Sequence, residues 1–206
     1  MVLTQRRPVV FEHPTDYRDE LPAQADGIRL LVVPRRNYLM IDGTDEPGAT
    51  GFREAIGTLY PVAYTLHFAL KRRGVVAPVG ALEGLYSLDE RVAWSWRLML
   101  PVTDQATVAD VNSAIDEVFA KKRPPLLDRL HCQAWEEGMV AQILHIGPYE
   151  AEAPTVERLH DAITDAGLRP LGWHHEIYIS DPNRTAPDRL RTVIRQPVEP
   201  VEPLDS

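Results

Sequence analysis

The chain has 206 residues and a mass of 23.2 kDa, with 44% hydrophobic and 25% charged residues. This composition excludes wholesale disorder and fits one large globular domain or two small ones. The net charge of −8 argues against direct nucleic-acid binding, which draws on clustered Lys and Arg. The single cysteine, Cys132, excludes an intramolecular disulfide, and no apolar run is long enough to span a bilayer. We therefore expect a cytoplasmic protein without a membrane partner.

The first half of the chain predicts strands around one long helix. Residues 1–27 are rich in Pro and Asp without periodicity, which indicates an irregular lead-in. Apolar positions three and four apart predict a helix over about residues 52–73, in which Pro61 predicts a kink or a break into two helices. Strands are predicted at residues 28–33, 38–41, 81–88 and 92–100, the last two joined at residues 89–91.

The second half repeats this alternation. Thr107 and Asp110 form a capping-box pattern at the start of a helix over residues 108–121. Residues 131–135 and 139–145 are predicted to pair as a hairpin around residues 136–138. The remaining elements are a helix over about residues 153–166, strands at 173–179 and 190–195, and a Pro- and Glu-rich tail at 196–206 that we expect to be disordered.

The two halves resemble each other. In each, a strand ends at a glycine turn, a helix follows, and the next strand carries a glutamate and a tyrosine before an aspartate: residues 83–89 and 176–181. The spacing differs by one residue between the two copies. We predict an α+β fold in which a β-α-β-β unit is used twice, at about residues 28–100 and 131–195, related by a pseudo-two-fold axis. Helices on one side of an antiparallel sheet would leave a central ligand groove between the halves.

Glu83 and Glu176 occupy matching places in the two copies, each in an otherwise apolar strand. One interpretation puts both carboxylates on the solvated face of the sheet. The other buries them in a shared cleft, where desolvation would raise the pKa and suit a general base or the counter-ion of a cation.

Aromatic side chains offer a wall for a planar ligand. Trp94 and Trp96 are two residues apart on one predicted strand, so they point to the same face, either as core or as a surface for stacking and cation–π contacts. The other candidate ligand contacts are Tyr64, Tyr86 and Tyr178.

Metal and cofactor motifs are absent from the sequence. Within residues 174–176, only His174 and Glu176 could bind the same metal ion, because successive strand residues point to opposite faces. No helical His pair or Cys cluster supports a metal site. The chain has no phosphate-binding glycine loop, nucleophile elbow or dinucleotide fingerprint. We expect neither a metal nor a cofactor.

Two C-terminal motifs resemble the GyrI-like small-molecule-binding family. They are EGMVAQILHIGPY (residues 137–149) followed by Glu152, and HHEIYISDPNRTAP (residues 174–187) followed by RTVIR (residues 191–195). Residues 59–66, 82–85 and 94–96 of the first half also agree with the family. The resemblance covers residues 28–198 and identifies that span as one domain, with residues 199–206 as a disordered tail.

The resemblance implies a groove for hydrophobic, planar or cationic small molecules and a role in drug or toxin resistance. Some stand-alone relatives hydrolyse the cyclopropane of DNA-alkylating compounds, and their catalytic glutamates match Glu152 and Glu176, with Tyr149 beside them. His174, in the same motif, is a further candidate ligand contact. The alternative is a non-catalytic effector-binding module, or an inhibitor that binds a protein such as gyrase, for which the sequence itself holds no support. Where relatives read Leu-Trp-Trp, this chain has Leu85-Tyr86-Ser87, which predicts a thinner groove wall.

Overall fold

The computed structural model describes residues 9–21, 27–89 and 93–201. Its helices are α1 (Tyr17–Glu20), α2 (Thr50–Arg72), α3 (Val108–Lys121) and α4 (Ala153–Asp165). Its strands are β1 (Arg29–Val33), β2 (Arg36–Gly43), β3 (Leu82–Asp89), β4 (Ala93–Val102), β5 (His131–Trp135), β6 (Gly138–Ile146), β7 (Leu168–Pro170), β8 (His174–Tyr178) and β9 (Arg191–Pro200). The predicted α+β class is confirmed.

The strands form one antiparallel sheet in the order β1-β6-β9-β8-β3-β4-β2-β5, with β7 paired to β9. Read outward from the centre of the sheet, the order β3-β4-β2-β5 on one side matches β8-β9-β6-β1 on the other. The first half of the chain supplies β3, β4 and β2, and the second half supplies β8, β9 and β6. The outermost strand on each side therefore comes from the other half of the chain. This exchange makes the two halves structurally interdependent.

The short connection between β1 and β2 requires the sheet to curl. Val33 and Arg36 are joined by only two residues, although their strands β1 and β2 are six places apart in the sheet. Six strand spacings amount to roughly 29 Å in a flat sheet, whereas three residue steps reach at most about 11 Å. The sheet therefore bends until its two edges come close together.

Helices α2 and α3 cover one half of the sheet and α4 covers the other half, all on one face. Apolar residues of α2, such as Leu59 and Leu66, pack on Leu39, Ile41 and Leu98 in one core. Leu159 and Ile163 of α4 pack on Ile143 and Ile194 in a second core. Burial of each apolar stripe contributes about 25 cal/mol per Å² of area removed from water. The central strands β3 and β8 lie between these two cores.

Local signals in the sequence account for the helix boundaries. The Thr107 hydroxyl accepts a hydrogen bond from the Asp110 N–H at the start of α3, and the Asp110 carboxylate accepts one from the Thr107 N–H. The predicted capping box is therefore confirmed. Helix α2 runs without a break through Pro61, because the apolar stripe on both sides of this residue packs against the same core. The prediction that allowed two separate helices is wrong on that point.

Three other predictions of local structure need correction. Strands β5 and β6 do not form a hairpin: β5 pairs with β2, whereas β6 pairs with β1 and β9. The last strand continues to Pro200, where it pairs with β7, so residues 196–200 belong to a strand and the prediction of a disordered tail from residue 196 or 199 is wrong for them. The lead-in includes α1, and Glu20 at its end is fully buried. The predicted turn at residues 89–91 lies largely outside the described residues.

Candidate functional site

Strand β8 presents a row of polar side chains on the helix-bearing face of the sheet. His174, Glu176 and Tyr178 alternate along this strand, so all three point to one side. The Glu176 carboxylate accepts a hydrogen bond from the Tyr178 hydroxyl at 2.8 Å, and His174 Nε2 lies 3.2 Å from its other oxygen. About 17% of the Glu176 side chain is exposed. The carboxylate is therefore oriented from both sides and still accessible to a ligand.

Tyr86 reaches this row from the neighbouring strand β3. Its hydroxyl lies 2.5 Å from that of Tyr178. Gly84, directly opposite Glu176, leaves the room that Tyr86 needs, because a Cβ at this position would lie 2.4 Å from the Tyr86 hydroxyl. Burial and the charge of Glu176 raise the pKa of Tyr86, and burial raises that of Tyr178 well above 10. Both tyrosines therefore remain protonated hydrogen-bond donors at physiological pH.

Glu152, at the start of α4, is the second carboxyl group of the site. Burial and the negative charge of Glu176 raise its pKa to about 8, and the nearby Thr192 hydroxyl only partly opposes this rise. Within the described residues, Glu152 Oε1 is buried and has no hydrogen-bond partner. A carboxyl group in this state takes up or releases a proton near neutral pH, as general acid–base chemistry requires.

Tyr149 precedes Glu152 in the turn that leads into α4. Its ring meets the Tyr178 ring edge-on, with the centroids 5.8 Å apart. Its side chain is 38% exposed, so the hydroxyl can meet a ligand. Burial and the charges of Glu152 and Glu176 raise the pKa of Tyr149, which keeps this hydroxyl protonated.

Strands β6 and β9 add two residues that sequence reasoning did not place in the site. Thr192 lies between His145 of β6 and Tyr178 of β8 in the cross-strand register. His145 bridges the Thr155 hydroxyl and the Pro148 carbonyl oxygen, at 3.0 and 3.2 Å, and so ties the turn before Glu152 to α4. Alternation along residues 191–195 was the available signal, since it places Thr192 on the face opposite Arg195.

Helix α2 carries aromatic rings and reaches the site through Phe52, which stacks on Tyr86 with the ring centroids 6.4 Å apart. Tyr60 and Tyr64 stack with centroids 6.1 Å apart, and Tyr64 stacks on Phe68. Burial raises the pKa of Tyr60, with smaller contributions from Tyr64 and Asp181. Tyr64 is 49% exposed, so its ring is open to solvent.

The two tryptophans have different surroundings. Trp96 is 1% exposed, its ring fills the space over Gly43, and its indole N–H donates to the Asp45 carbonyl oxygen at 2.8 Å. Trp96 is therefore a core residue, and its assignment to the ligand wall is wrong. Trp94 is half-buried and packs against the core under α2.

The expectation that Glu83 and Glu176 share a cleft is also wrong. Glu176 is opposite Gly84, so Glu83 points through the other face of the sheet. The difference of one residue between the two repeats has this effect, because a one-residue shift moves a side chain to the opposite face of a strand. Glu83 is fully buried there, 3.1 Å from His175 Nε2.

Glu83 belongs to an ionic cluster inside the curl of the sheet. His175 Nδ1 lies 2.8 Å from Glu137, and Arg195 donates to Glu137 at 2.9 Å. Glu20 contacts Arg195 and Arg36. Although burial alone would lower it, Glu137 and Glu83 raise the pKa of His175 to about 9. Glu137 sits in the connection from β5 to β6, so its ion pairs hold that connection inside the curled sheet and favour this path over a local hairpin.

The site is built from acid–base groups. No group of three His, Cys, Asp or Glu side chains within residues 9–21, 27–89 and 93–201 is arranged to hold a metal ion. No helix in this part of the chain is long and apolar enough to cross a membrane. Two carboxyl groups, three tyrosines and a histidine can bind a cation, orient a polar ligand and transfer protons.

Comparisons with known proteins point to small-molecule binding. The sequence profile of the GyrI-like small molecule binding domain matches residues 100–199. No curated protein sequence matches the chain.

Solved structures extend the likeness over most of the chain. An uncharacterized conserved protein from Listeria innocua is 30% identical, with a TM-score of 0.79 over 86% of this chain and 94% of its own. A protein from the same organism described as a hydrolase is 30% identical, with a TM-score of 0.77 over 88% and 96% of the two chains. The EcmrR C-terminal domain, 14% identical with a TM-score of 0.55 over 85% and 98%, shares the fold.

Proposed function

The chain belongs to the GyrI-like small-molecule-binding family, and from that premise we propose that it binds planar or cationic small molecules and adds water to their electrophilic rings. The ligand would lie on the helix-bearing face of β3 and β8, between α2 and α4. The substrate class we propose is the cyclopropane-bearing DNA-alkylating compound, and the biological role is protection of the cell from such toxins. A 30% identical relative described as a hydrolase supports the reaction class.

The observation that carries this proposal is the pair Glu152 and Glu176 in unequal environments. Glu176 is fixed by Tyr178 and His174, whereas Glu152 is buried with a raised pKa of about 8. Groups with such separated environments take different roles in acid–base catalysis. Glu152 is the general base, and Glu176 provides the negative charge that raises the basicity of Glu152 and attracts a cationic ligand.

The reaction adds one water molecule. Glu152 accepts a proton from water while the water oxygen bonds to a cyclopropane carbon. The carbon–carbon bond of the ring breaks, and its electron pair moves through the conjugated system to the carbonyl oxygen. Tyr149, whose hydroxyl is protonated and accessible, donates a proton to that oxygen. Return of the proton from Glu152 to Tyr149 through solvent restores both groups.

Binding would draw on the aromatic surroundings. Tyr60, Tyr64 and Tyr149 present ring surfaces at the edge of the site, and stacking on such rings orients a flat substrate over the carboxyl groups. Micromolar affinity corresponds to about 8 kcal/mol, within reach of stacking on two rings plus one charge pair.

The test combines binding with turnover. A rhodamine-type dye titrated by fluorescence should bind, and Glu176→Gln should weaken that binding. Mass spectrometry of a cyclopropane-bearing substrate should detect addition of one water above the buffer rate. Glu152→Gln and Glu176→Gln should each remove most of this activity, and the double variant little more, if the pair acts as a unit.

The matched control is Glu150→Gln, which removes an exposed carboxylate two residues from Glu152. This variant should retain activity. A wild-type protein that binds the compound without forming product would contradict the hydrolase assignment and leave an effector-binding or inhibitor module as the function.

A further inference from the structure

One flank of α2 carries apolar side chains along the border between the buried stripe and the exposed face of this helix. Phe52, Ile56 and Tyr60 recur every four residues, so they follow one line over two helical turns. Each is only partly buried and packs against the core under α2. The flank is therefore apolar, partly accessible and continuous over these two turns.

Phe52 connects this flank to the candidate site. Its ring stacks on Tyr86 with the centroids 6.4 Å apart and meets the Trp96 ring edge-on at 5.2 Å. The Tyr86 hydroxyl contacts that of Tyr178, which donates to the Glu176 carboxylate. Two hydrogen bonds thus separate Glu176 from the Tyr86 ring, and Phe52 lies against the face of that ring.

The two carboxyl groups of the candidate site both come from the second half of the chain. Glu176 belongs to β8, and Glu152 lies at the start of α4. The first half has Gly84 opposite Glu176, with the Tyr86 side chain over that glycine. The two halves therefore differ in chemistry: the second supplies carboxyl groups to the site, and the first supplies aromatic and aliphatic surface.

Two further carboxylates border the apolar flank of α2, and both already have partners. Asp45 accepts hydrogen bonds from the Trp96 indole N–H at 3.0 Å and from the Gly51 N–H at 2.9 Å. At the other end of the flank, Asp181 is exposed to solvent, where it pairs with Arg184 at 3.4 Å. Neither carboxylate offers an unpaired charge to a ligand on this flank.

We propose that Phe52 is a specificity-determining residue and that the ligand binds in one orientation. Its single cationic or electrophilic end lies at Glu152 and Glu176, and its uncharged planar end lies on Phe52 and Ile56. This inference rests on the proposed binding function and narrows its ligand class to flat molecules with one polar end. A second cation at the planar end would leave water for apolar side chains without a counter-charge, which costs free energy. Carboxylates at both ends would instead favour dications.

A matched pair of probes tests the orientation in the wild-type protein. The monocation para-phenyl-N-methylpyridinium and the dication methyl viologen have the same two-ring shape and differ in the second charge. We expect the monocation to bind at least about 10-fold more tightly in calorimetric titrations. Physiological ionic strength should be used, because it screens the general attraction of the dication to the net charge of −8. Equal affinities, or tighter binding of methyl viologen, would overturn the inference and leave the proposed function standing. Failure of both probes to bind would contradict the proposed function at its binding step, and the inference with it.

Phe52→Leu tests the contribution of the ring itself. Leucine keeps the residue apolar, so we expect the monocation to bind roughly 3- to 10-fold more weakly because ring stacking is lost. The matched control is Phe119→Leu, which removes a 54% exposed ring of α3 and should leave both affinities unchanged. Thermal unfolding checks that both variants are folded, and the wild-type comparison of the two probes decides the orientation in either case.

Equal monocation affinities of Phe52→Leu and wild type would overturn the role of Phe52. An absence of turnover in the mass-spectrometric assay would instead end the hydrolase assignment and leave this inference intact, because neither titration involves turnover.

Discussion

Tyr86 and Tyr178, equivalent residues of the two halves, meet through their hydroxyl groups at 2.5 Å on the central strands. The Tyr178 hydroxyl donates a hydrogen bond to Glu176, so one hydrogen-bonded chain runs from the first half of the protein to the candidate site in the second half. The two halves of the chain differ beside these two tyrosines. Where the second half has Glu176, the first half has Gly84, and the Tyr86 side chain lies over that glycine.

Gly84→Ala should disrupt the site through Tyr86. The added Cβ would lie 2.4 Å from the Tyr86 hydroxyl and 2.7 Å from its ring, so the ring must move and its bond to Tyr178 is lost. We expect a stability loss of about 1–3 kcal/mol and a clear fall in turnover. Thermal unfolding and the mass-spectrometric assay measure these effects.

Gly57→Ala is the matched control for this substitution. Gly57 is in α2, and a Cβ there has no heavy atom within 4 Å among the described residues. Alanine should therefore stabilise the helix by roughly 0.5–1 kcal/mol and leave turnover unchanged. Similar behaviour of the two variants would contradict the role given to Gly84.

Tyr178→Phe should lower activity without removing the aromatic surface. The change deletes the donor to Glu176 and the partner of Tyr86, while the edge-on contact with Tyr149 remains. A hydrogen bond to a charged group contributes about 1.5–3 kcal/mol, which corresponds to a loss of roughly 10-fold or more. Tyr64→Phe, at an exposed ring, should leave the reaction rate unchanged. Equal rates for both variants would show that Glu176 needs no orientation by Tyr178.

Turnover should rise as the pH increases through about 8. Glu152 must be ionised to act as a base, and its pKa of about 8 means that its carboxyl is mostly protonated at pH 7. Glu176→Gln should move the midpoint of the pH profile downward, because the charge of Glu176 raises the pKa of Glu152. A profile that falls between pH 7 and pH 9 would instead assign Glu152 as a general acid.

Affinity for a permanently cationic dye should follow the same titration. Ionisation of Glu152 adds a negative charge beside Glu176, so the dye should bind more tightly above pH 8 than at pH 7. Glu152→Gln should abolish this change and leave the affinity near its neutral-pH value. Fluorescence titration at several pH values measures the dye affinity of both proteins. A wild-type affinity that does not depend on pH would place the dye away from Glu152.

Protonated His175 should stabilise the fold at neutral pH but not under alkaline conditions. Its pKa is raised to about 9, so its contribution is complete below the unfolded value near 6.5 and is lost as the pH rises through 9. The full contribution is on the order of 3 kcal/mol. Denaturant unfolding at pH 6 to 10 measures this loss.

That measurement should be made in protein that carries Glu152→Gln. Protonation of Glu152 also stabilises the fold, and this contribution is lost as the pH rises from about 4.5 to 8. His160→Gln, at an exposed position, should leave the alkaline loss intact. His175→Gln should be less stable at neutral pH, because it leaves Glu83 buried without its cation and leaves Glu137 with Arg195 alone, and it should not show the alkaline loss. Persistence of the full loss in His175→Gln would assign it to another group.

The sequence alone determined the three long helices α2, α3 and α4, the fold class and the chemical nature of the site. Periodic apolar residues and the capping box at Thr107 specify α3 locally, and α2 follows from its long apolar stripe. These signals are short-range, so a single sequence contains them in full. The resemblance carried by residues 137–152 and 174–195 pointed to Glu152, Glu176 and Tyr149 together.

Only the tertiary structure decided which strands pair and which face each side chain occupies. Residues 131–135 and 139–145 had the pattern of a hairpin, but the buried ion pairs of Glu137 hold their connection inside the curled sheet instead. Glu83 and Glu176 lie in similar motifs, yet the register Gly84–Glu176 puts their side chains on opposite faces. Thr192 and Glu152 approach each other through long-range pairing of β9 with β6 and β8. Pairing register depends on contacts between distant parts of the chain, which local periodicity does not encode.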